Sequence, residues 1–440
     1  MAILLRGGTL LPMGDDARPF AGDVLVSGAR IAQIGTGLEV PADTDVVDCS
    51  GCYVMPGLVQ THVHLVQTMF RGLAEDVGLL DWLRRFIWPL EAAHDEASVR
   101  ACVRLGLGEL LTTGTTTILD MGTTRWGDVV AEELVRSGIR ARFGQAMMDT
   151  GDRVPANLVE NTRASLDASA ALVKRWSKAG AGRIGYAYAP RFALSCTREL
   201  LEAVGMLAKM SEVLVHTHSN ESAEERTAVQ AATGMSPIGY LAQVGIATPR
   251  TVIAHGVHVD DAELQVLRES GSAVTHCPSS NLKLGSGVAD VVRLRGARIT
   301  VGIGADGAAC NNQLDGFEEV RLATLLARTL RGQGALTAAA ALVMATRDGA
   351  RAMHLEEEVG TLAVGRRADI VVMDSERLAG PGGDPVARIV FGGGSRGVRD
   401  VLVDGTLLVR GGRPLLFDPA EVRAKAAEAL PGLLERAQVD

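Results

Sequence analysis

Aromatic side chains are scarce in this chain: Phe, Tyr and Trp make up 4% of its 440 residues. That scarcity removes the stacking platforms on which single-stranded nucleic acids bind. Positive charge is also in short supply. The net charge is −8 and no basic stripe occurs, which argues against nucleic-acid binding in general. No apolar run approaches the length of a membrane span, and the apolar stretch at residues 2–5 is too short for a signal sequence; it reads as a strand and turn. The six cysteines, Cys49, Cys52, Cys102, Cys196, Cys277 and Cys310, are scattered. Cys49 and Cys52 form one C-x-x-C, but no second pair follows at zinc-ribbon spacing, so buried free thiols and a reducing cytoplasm are expected.

What is present is hydrophobic: 47% of residues, against 22% charged, the balance of a folded chain with a large core. Both ends read as short strands broken by glycine turns, at residues 3–5, 23–27 and 30–34 and again at 369–374, 388–391, 400–403 and 405–410. These are read as one composite β-sandwich built from residues 1–55 and 365–415. Between them, apolar strands alternate with amphipathic helices, at 58–62, 115–120, 140–147, 183–189, 212–216, 251–254, 273–276 and 300–304. Eight βα units predict an α/β fold, a (β/α)8 TIM barrel over residues 56–364. An open doubly wound sheet is the alternative, but no G-x-G-x-x-G follows the first strand. The final segment, 416–440, reads as helical, with a helix over 420–437.

Five residues stand at the ends of these strands: His62 and His64 on the first, His218 on the fifth, His255 on the sixth and Asp306 on the eighth. Two-residue spacing puts both imidazoles of His62-Val63-His64 on one face. Barrel enzymes work at the C-terminal ends of their strands. Imidazoles and a carboxylate delivered there suit a first-row metal that activates water. His218 is read as a third ligand, with His216 packing beside it. Glu221, three residues beyond His218, is better placed to handle protons than to bind metal. Glu224 and Glu225 are expected to be solvated. Asp306 sits in Gly304-Ala305-Asp306-Gly307, where a lone buried carboxylate is costly unless it is paired or ligated.

Together with Pro56-Gly57-Leu58, His276-Cys277-Pro278-Ser279-Ser280-Asn281 and Gly360-Thr361-Leu362, these residues resemble the amidohydrolase superfamily, in its deaminase and chlorohydrolase branch. The resemblance covers essentially the whole chain. It implies one divalent metal, Zn²⁺ or Fe²⁺, held by His62, His64, His218 and Asp306. The segment 183–189 holds no lysine to be carboxylated as a bridge, so a mononuclear site is expected. The mechanism it implies has Asp306 and His255 take or orient the water proton while Glu221 protonates a ring nitrogen.

The loop from Leu65 to Asp76, with Leu80-Asp81-Trp82-Leu83 and Ile87-Trp88-Pro89-Leu90-Glu91, resembles deaminases acting on S-adenosylhomocysteine, 5′-methylthioadenosine and 5′-deoxyadenosine. There the carboxylate matching Glu91 binds the ribose hydroxyls, and one carboxylate can accept both hydrogen bonds of a vicinal diol. Arg191 departs from the histidine of the homocysteine/methylthioadenosine enzymes. An arginine here is shared with 5′-deoxyadenosine deaminases and with guanine deaminases, which also carry the equivalent of Gln67. Gln67 and Arg191 are therefore expected to read purine edge atoms, with Trp82, Phe86 and Trp88 walling the 5′ group. The expected activity is deamination of an adenosine-type nucleoside. Guanine deamination, s-triazine hydrolysis and a metal-free scaffold are the alternatives. The expected partner is a small purine nucleoside, with no nucleic acid and no membrane, and the resemblance implies a homodimer or homotetramer.

Overall fold

Strands buried on both faces have no side that must be polar, so they read as unbroken apolar runs rather than alternating ones. Eight such runs are parallel strands in the computed structural model, which describes residues 2–15 and 18–439. They are Leu58–His64, Thr115–Met121, Arg140–Gly144, Ile184–Pro190, Leu214–Ser219, Thr251–His255, Ala273–His276 and Val301–Ile303. Each pairs with the next, and Ile303 opposite Gln60 closes the ring. The result is a (β/α)8 barrel with helices outside, as the alternation predicts. The first strand is buried at every position although it carries Gln60, Thr61, His62 and His64. Its polar groups are met inside the barrel. Gln60 donates to Thr115 Oγ1 and to the Leu314 carbonyl, each at 2.9 Å, and accepts from the Ala305 amide at 2.9 Å. Thr61 and Thr275 share a hydroxyl contact of 2.8 Å. Buried polar atoms this well matched lock the register of strands one, two, seven and eight.

The termini build a second, nine-stranded sheet. Ala2–Leu10 pairs in parallel with Asp45–Asp48 through its first half and with Cys52–Pro56 through its second. Cys52–Pro56 then pairs antiparallel with Ile370–Asp374, which joins the two ends of the chain. Arg140, at the start of the third barrel strand, is buried between the bodies. It holds Asp369 through Nε at 2.8 Å and Nη2 at 2.9 Å, and Asp404 at 2.5 Å.

One expected strand is a helix. Residues 388–391 lie inside the helix Pro385–Gly392. Asp384 caps it by accepting from the Ala387 amide at 2.7 Å, and Pro385 takes the first turn, where no amide hydrogen is needed. Val386, Ile389 and Val390 are buried together, the spacing of a helix face. The six cysteines are free and buried. Among the described residues, no helix is long and apolar enough to cross a membrane.

Over the barrel mouth, the first strand runs into a 3₁₀ helix, Leu65–Phe70. A second helical stretch follows, made of Leu79–Trp82, a π-helical turn Leu83–Ile87, and Trp88–Ala92. The π turn inserts one residue per turn and so changes which side chains face the barrel, a device common at functional sites. His94 pins this stretch to the first strand's exit: its ring contacts the Val66 carbonyl at 2.9 Å and Ser98 Oγ at 3.0 Å.

Candidate metal centre and pocket

The five strand-end residues meet. His62 Nε2 lies 3.2 Å and His64 Nε2 3.5 Å from Asp306 Oδ1. His64 Nε2 lies 3.2 Å from His218 Nε2. His62, His64 and His218 form one cluster of ligand atoms within 4.8 Å of one another, and His62, His255 and Asp306 form a second. His255 and Asp306 both sit in left-handed backbone, at φ 77° and 62°. Such a conformation costs a non-glycine residue about 1–3 kcal/mol and persists where surrounding structure over-determines it. Asp306 is held further by the Ser280 hydroxyl and the Gly307 amide, each donating at 2.7 Å.

The tautomers follow from the partners. His64 Nδ1 faces the Met121 carbonyl at 2.7 Å and His218 Nδ1 faces the Arg191 carbonyl at 2.7 Å. A carbonyl only accepts, so both Nδ1 atoms carry the hydrogen and both Nε2 atoms are bare lone pairs. Two bare lone pairs facing each other at 3.2 Å repel unless a cation lies between them. His62 Nδ1 is engaged by His216 Nε2 at 2.8 Å, and its Nε2 is buried without a hydrogen-bond partner. Three imidazoles oriented from behind, beside a carboxylate, fit a divalent metal. Burial pushes the His62 ring down to about 4 and lowers His64 and His255 as well; His216 and His218 fall well below the ordinary imidazole value for the same reason. All are neutral, the form that ligates. The Asp306 carboxyl lies well below its ordinary value despite burial, and the Ser280 hydroxyl and Gly307 amide donate to its two oxygens.

Glu221 has the opposite environment. Burial, then the nearby Asp306 and Glu225 carboxylates, push it well above the ordinary carboxylate value, which favours its protonated form. Its Oε2 is 3.4 Å from His255 Nε2, and His255 Nδ1 is engaged by Asn281 Oδ1 at 3.0 Å. Glu225 corrects an expectation: it is buried, not solvated, and accepts from the Glu221 amide at 2.7 Å. Burial pushes it up to about 7. Glu224 is exposed as expected. Asn281, Ser280 and Glu225 are thus parts of the site to which sequence reasoning gave no role. Asn281 and Ser280 stood in the His276–Asn281 motif, which was the available signal.

A small pocket opens beside the cluster, with Leu79, Trp82, Leu83 and Phe192 as its apolar wall. Its polar side carries Gln67, Arg191, His218, Glu221, Glu225, His255 and Asp306. The expected specificity residues divide. Gln67 and Arg191 line the pocket; Glu91 lies behind them, with both carboxylate oxygens engaged. Arg191 Nη1 meets Glu91 Oε2 at 2.5 Å and Nη2 meets Oε1 at 3.0 Å, while Gln67 Nε2 donates to Oε1 at 2.9 Å. The Arg191 guanidinium therefore faces Glu91 with both terminal nitrogens while the residue lines the pocket. Burial raises Glu91, but Arg191 more than offsets this and keeps it ionised. Trp88 is buried in the packed layer around Phe70 and Leu433 and is not among the residues lining the pocket; Trp82 is.

The barrel, the composite terminal sheet and the strand-end cluster define a hydrolase of the metal-dependent barrel class. Residues 53–408 match the Amidohydrolase family, and the chain belongs to it. A relative from Halobacterium salinarum named 5-methylthioadenosine/S-adenosylhomocysteine deaminase is 38% identical over 420 residues, 94% of this chain and 95% of its own length. A 5′-deoxyadenosine deaminase of Methanothermobacter thermautotrophicus is 38% identical over 414 residues, 93% of this chain and 94% of its own. The crystal structure of an adenosine deaminase from Xanthomonas campestris with bound zinc superposes with a TM-score of 0.92 at 30% identity, covering 100% of this chain and 99% of that one. The chain is accordingly a hydrolytic enzyme acting on C–N bonds, and its family and donor set both indicate a divalent metal.

Proposed function

We propose that this chain deaminates an adenosine-type nucleoside, converting the 6-amino group to a 6-oxo group with release of ammonia. The observation that carries the reading is the pairing of two opposed environments in one pocket. Bare imidazole nitrogens and the Asp306 carboxylate converge on one point, and Glu221, its carboxyl pushed upward by burial and by neighbouring carboxylates, stands beside them at 3.4 Å from His255. His62, His64, His218 and Asp306 are assigned as holders of a zinc ion, with the barrel over residues 56–364 as the catalytic domain. A divalent metal bound there supplies Lewis acidity that brings the pKa of a water toward neutrality.

The chain's own groups do the rest. Asp306 and His255 take the proton of the attacking water as its oxygen adds to C6. Glu221 delivers its proton to the adjacent ring nitrogen, which makes C6 electron-poor at the moment of attack. The amino group takes the proton held by Asp306 and His255 and departs as ammonia, while the carboxylate left on Glu221 takes the proton of the new hydroxyl as the 6-oxo group forms, so both acid–base groups return to their starting states. Glu225, hydrogen-bonded to the Glu221 backbone, holds that residue in place. Glu91 is assigned to the ribose hydroxyls with Gln67 beside it, and Trp82 with Leu79 and Leu83 to the 5′ side. The named relatives, which match along most of the chain, support a nucleoside over guanine or an s-triazine.

The test is ammonia release from adenosine, 5′-deoxyadenosine, methylthioadenosine, S-adenosylhomocysteine, guanine and an s-triazine, with metal quantified in the same sample. Turnover of at least one nucleoside by a chain holding one metal ion is expected. A metal-loaded chain that acts only on guanine or the triazine would overturn the reading.

A further inference from the structure

Three polar residues at the back of the pocket are joined through Glu91. Arg191 holds both oxygens of Glu91, and Gln67 donates to one of them. All three side chains are buried, at 3%, 2% and 1% exposure. Because an ionised carboxylate only accepts, Gln67 must turn its amide nitrogen to Glu91, which fixes the direction of its carbonyl oxygen. Arg191 is tied at a second point. Its carbonyl accepts from the His218 amide at 3.0 Å and from His218 Nδ1 at 2.7 Å. One residue therefore sets the tautomer of a cluster imidazole through its backbone and the place of a carboxylate through its side chain.

We infer that Arg191 is a positioning residue that acts through Glu91 and does not itself read the substrate, so that Arg191, Glu91 and Gln67 work as a single specificity unit clamped to the metal end of the pocket. The inference rests on the proposed nucleoside reading, in which Glu91 receives the ribose diol. Arg191 is suited to this part because its planar fork matches a carboxylate at two points, which a lysine cannot do. The pairing also explains how an ionised carboxylate is kept dry beside an apolar wall: a buried charge needs a hydrogen-bonded partner. Oε1 already accepts from Arg191 and Gln67 and Oε2 from Arg191, so Glu91 keeps an accepting position on Oε2 for an incoming hydroxyl and is held against swinging away.

The experiment compares adenosine with 2′,3′-dideoxyadenosine, which differ only in the diol, across wild type, Arg191→Met, Glu91→Gln and the double variant. If Arg191 acts through Glu91, the two substitutions are not additive. On adenosine the double variant should then show a KM within about threefold of Glu91→Gln alone. Each should be raised about 10- to 100-fold over wild type, the range for loss of a hydrogen bond to a charged group. On 2′,3′-dideoxyadenosine all four chains should agree within about threefold. Bound metal should stay at one ion per chain throughout. Arg191→Met leaves a buried carboxylate unpaired, and that single variant can fail to fold. The comparison of Glu91→Gln with the double variant, in which no unpaired carboxylate remains, carries the test in that event. A further loss of about tenfold or more in the double variant on 2′,3′-dideoxyadenosine would put Arg191 on the base and overturn the inference alone. A wild-type chain that releases ammonia from neither nucleoside would overturn the nucleoside reading and this inference with it.

Discussion

A methyl group at Gly307 should loosen substrate binding without touching the metal. Gly307 has φ −80° and ψ 146°, ordinary extended backbone that alanine adopts freely, so Gly307→Ala carries no conformational penalty. The effect is steric. A Cβ built there lies 2.1 Å from Gln67 Oε1 and 3.0 Å from its Cδ, whereas His64 Cβ is 3.5 Å away, an ordinary contact. The Gln67 amide must therefore retreat by more than an ångström, on the order of the gap between 2.1 Å and normal contact. That retreat breaks its 2.9 Å bond to Glu91 Oε1. A hydrogen bond to a charged group contributes about 1.5–3 kcal/mol, which corresponds to about a 10- to 100-fold rise in KM for a nucleoside. The Gly307 amide, being backbone, still donates to Asp306, so metal content should remain at one ion per chain. Steady-state kinetics with metal analysis on the same preparation reads both quantities. Gly307→Ala placed on a Gln67→Ala background should add nothing, because the clash partner is gone. A loss of metal, or a KM equal to wild type while Gln67→Ala alone raises it, would refute the reasoning.

Glu221→Gln removes the ionisable carboxyl and keeps its shape; kcat should fall by about 10²- to 10⁴-fold with metal retained, and full activity would remove Glu221 from proton transfer. His94 is buried and, mainly through burial, lowered to about 4 from its ordinary 6.5. The unfolded chain thus binds a proton that the folded chain refuses between these values, so the His94 contribution is present above pH 6.5 and is lost as pH falls toward 4. Urea titrations should show His94→Gln flattening the pH dependence in that window by about 3 kcal/mol in total; an unchanged slope would mean that His94 is charged in the folded state. Arg140→Met leaves Asp369 and Asp404 buried without their cation and should destabilise the chain by about 3–5 kcal/mol in thermal or denaturant unfolding, with KM unchanged at low temperature; an unaltered melting curve would show that Arg140 does not tie the sheet to the barrel.

The barrel was legible because its signal is repeated: eight apolar runs, each too short for a buried helix and each followed by an amphipathic stretch. The helix Pro385–Gly392 was not, because its four middle residues Arg388 to Phe391 look the same as a short strand. Only the Asp384-Pro385 start, a cap followed by a first-turn proline, marks it as helix. Glu225 was misread for a related reason. Glu224 and Glu225 stand together in sequence, and two adjacent carboxylates suggest a solvated turn. On the helix Ala223–Thr233 Glu225 is buried where Glu224 is exposed, and the Glu221 amide donates to the Glu225 carboxylate. The pairing of Glu91 with Arg191 spans 100 residues and leaves no local trace at either end.

His64 and His218, by contrast, are legible from the strand-end motifs, and the way they are oriented explains why. His64 and His218 are fixed by the carbonyls of Met121 and Arg191, which any residue at those positions would present. A tautomer set by backbone depends on the barrel's geometry and on little else, so the histidines alone suffice to announce the site. His255 and Glu221 are fixed by the side chain of Asn281 and the carboxylate of Glu225, and Glu91 by Arg191 and Gln67. These parts depend on the identity of residues that no short motif gathers. The orientation of His64 and His218 therefore depends less on neighbouring side chains than that of His62, which His216 engages, or of His255 and Glu91. A barrel of this kind can keep its hydrolytic centre and alter its substrate by substituting pocket-lining residues such as Arg191, or the Glu91 that stands one contact behind them.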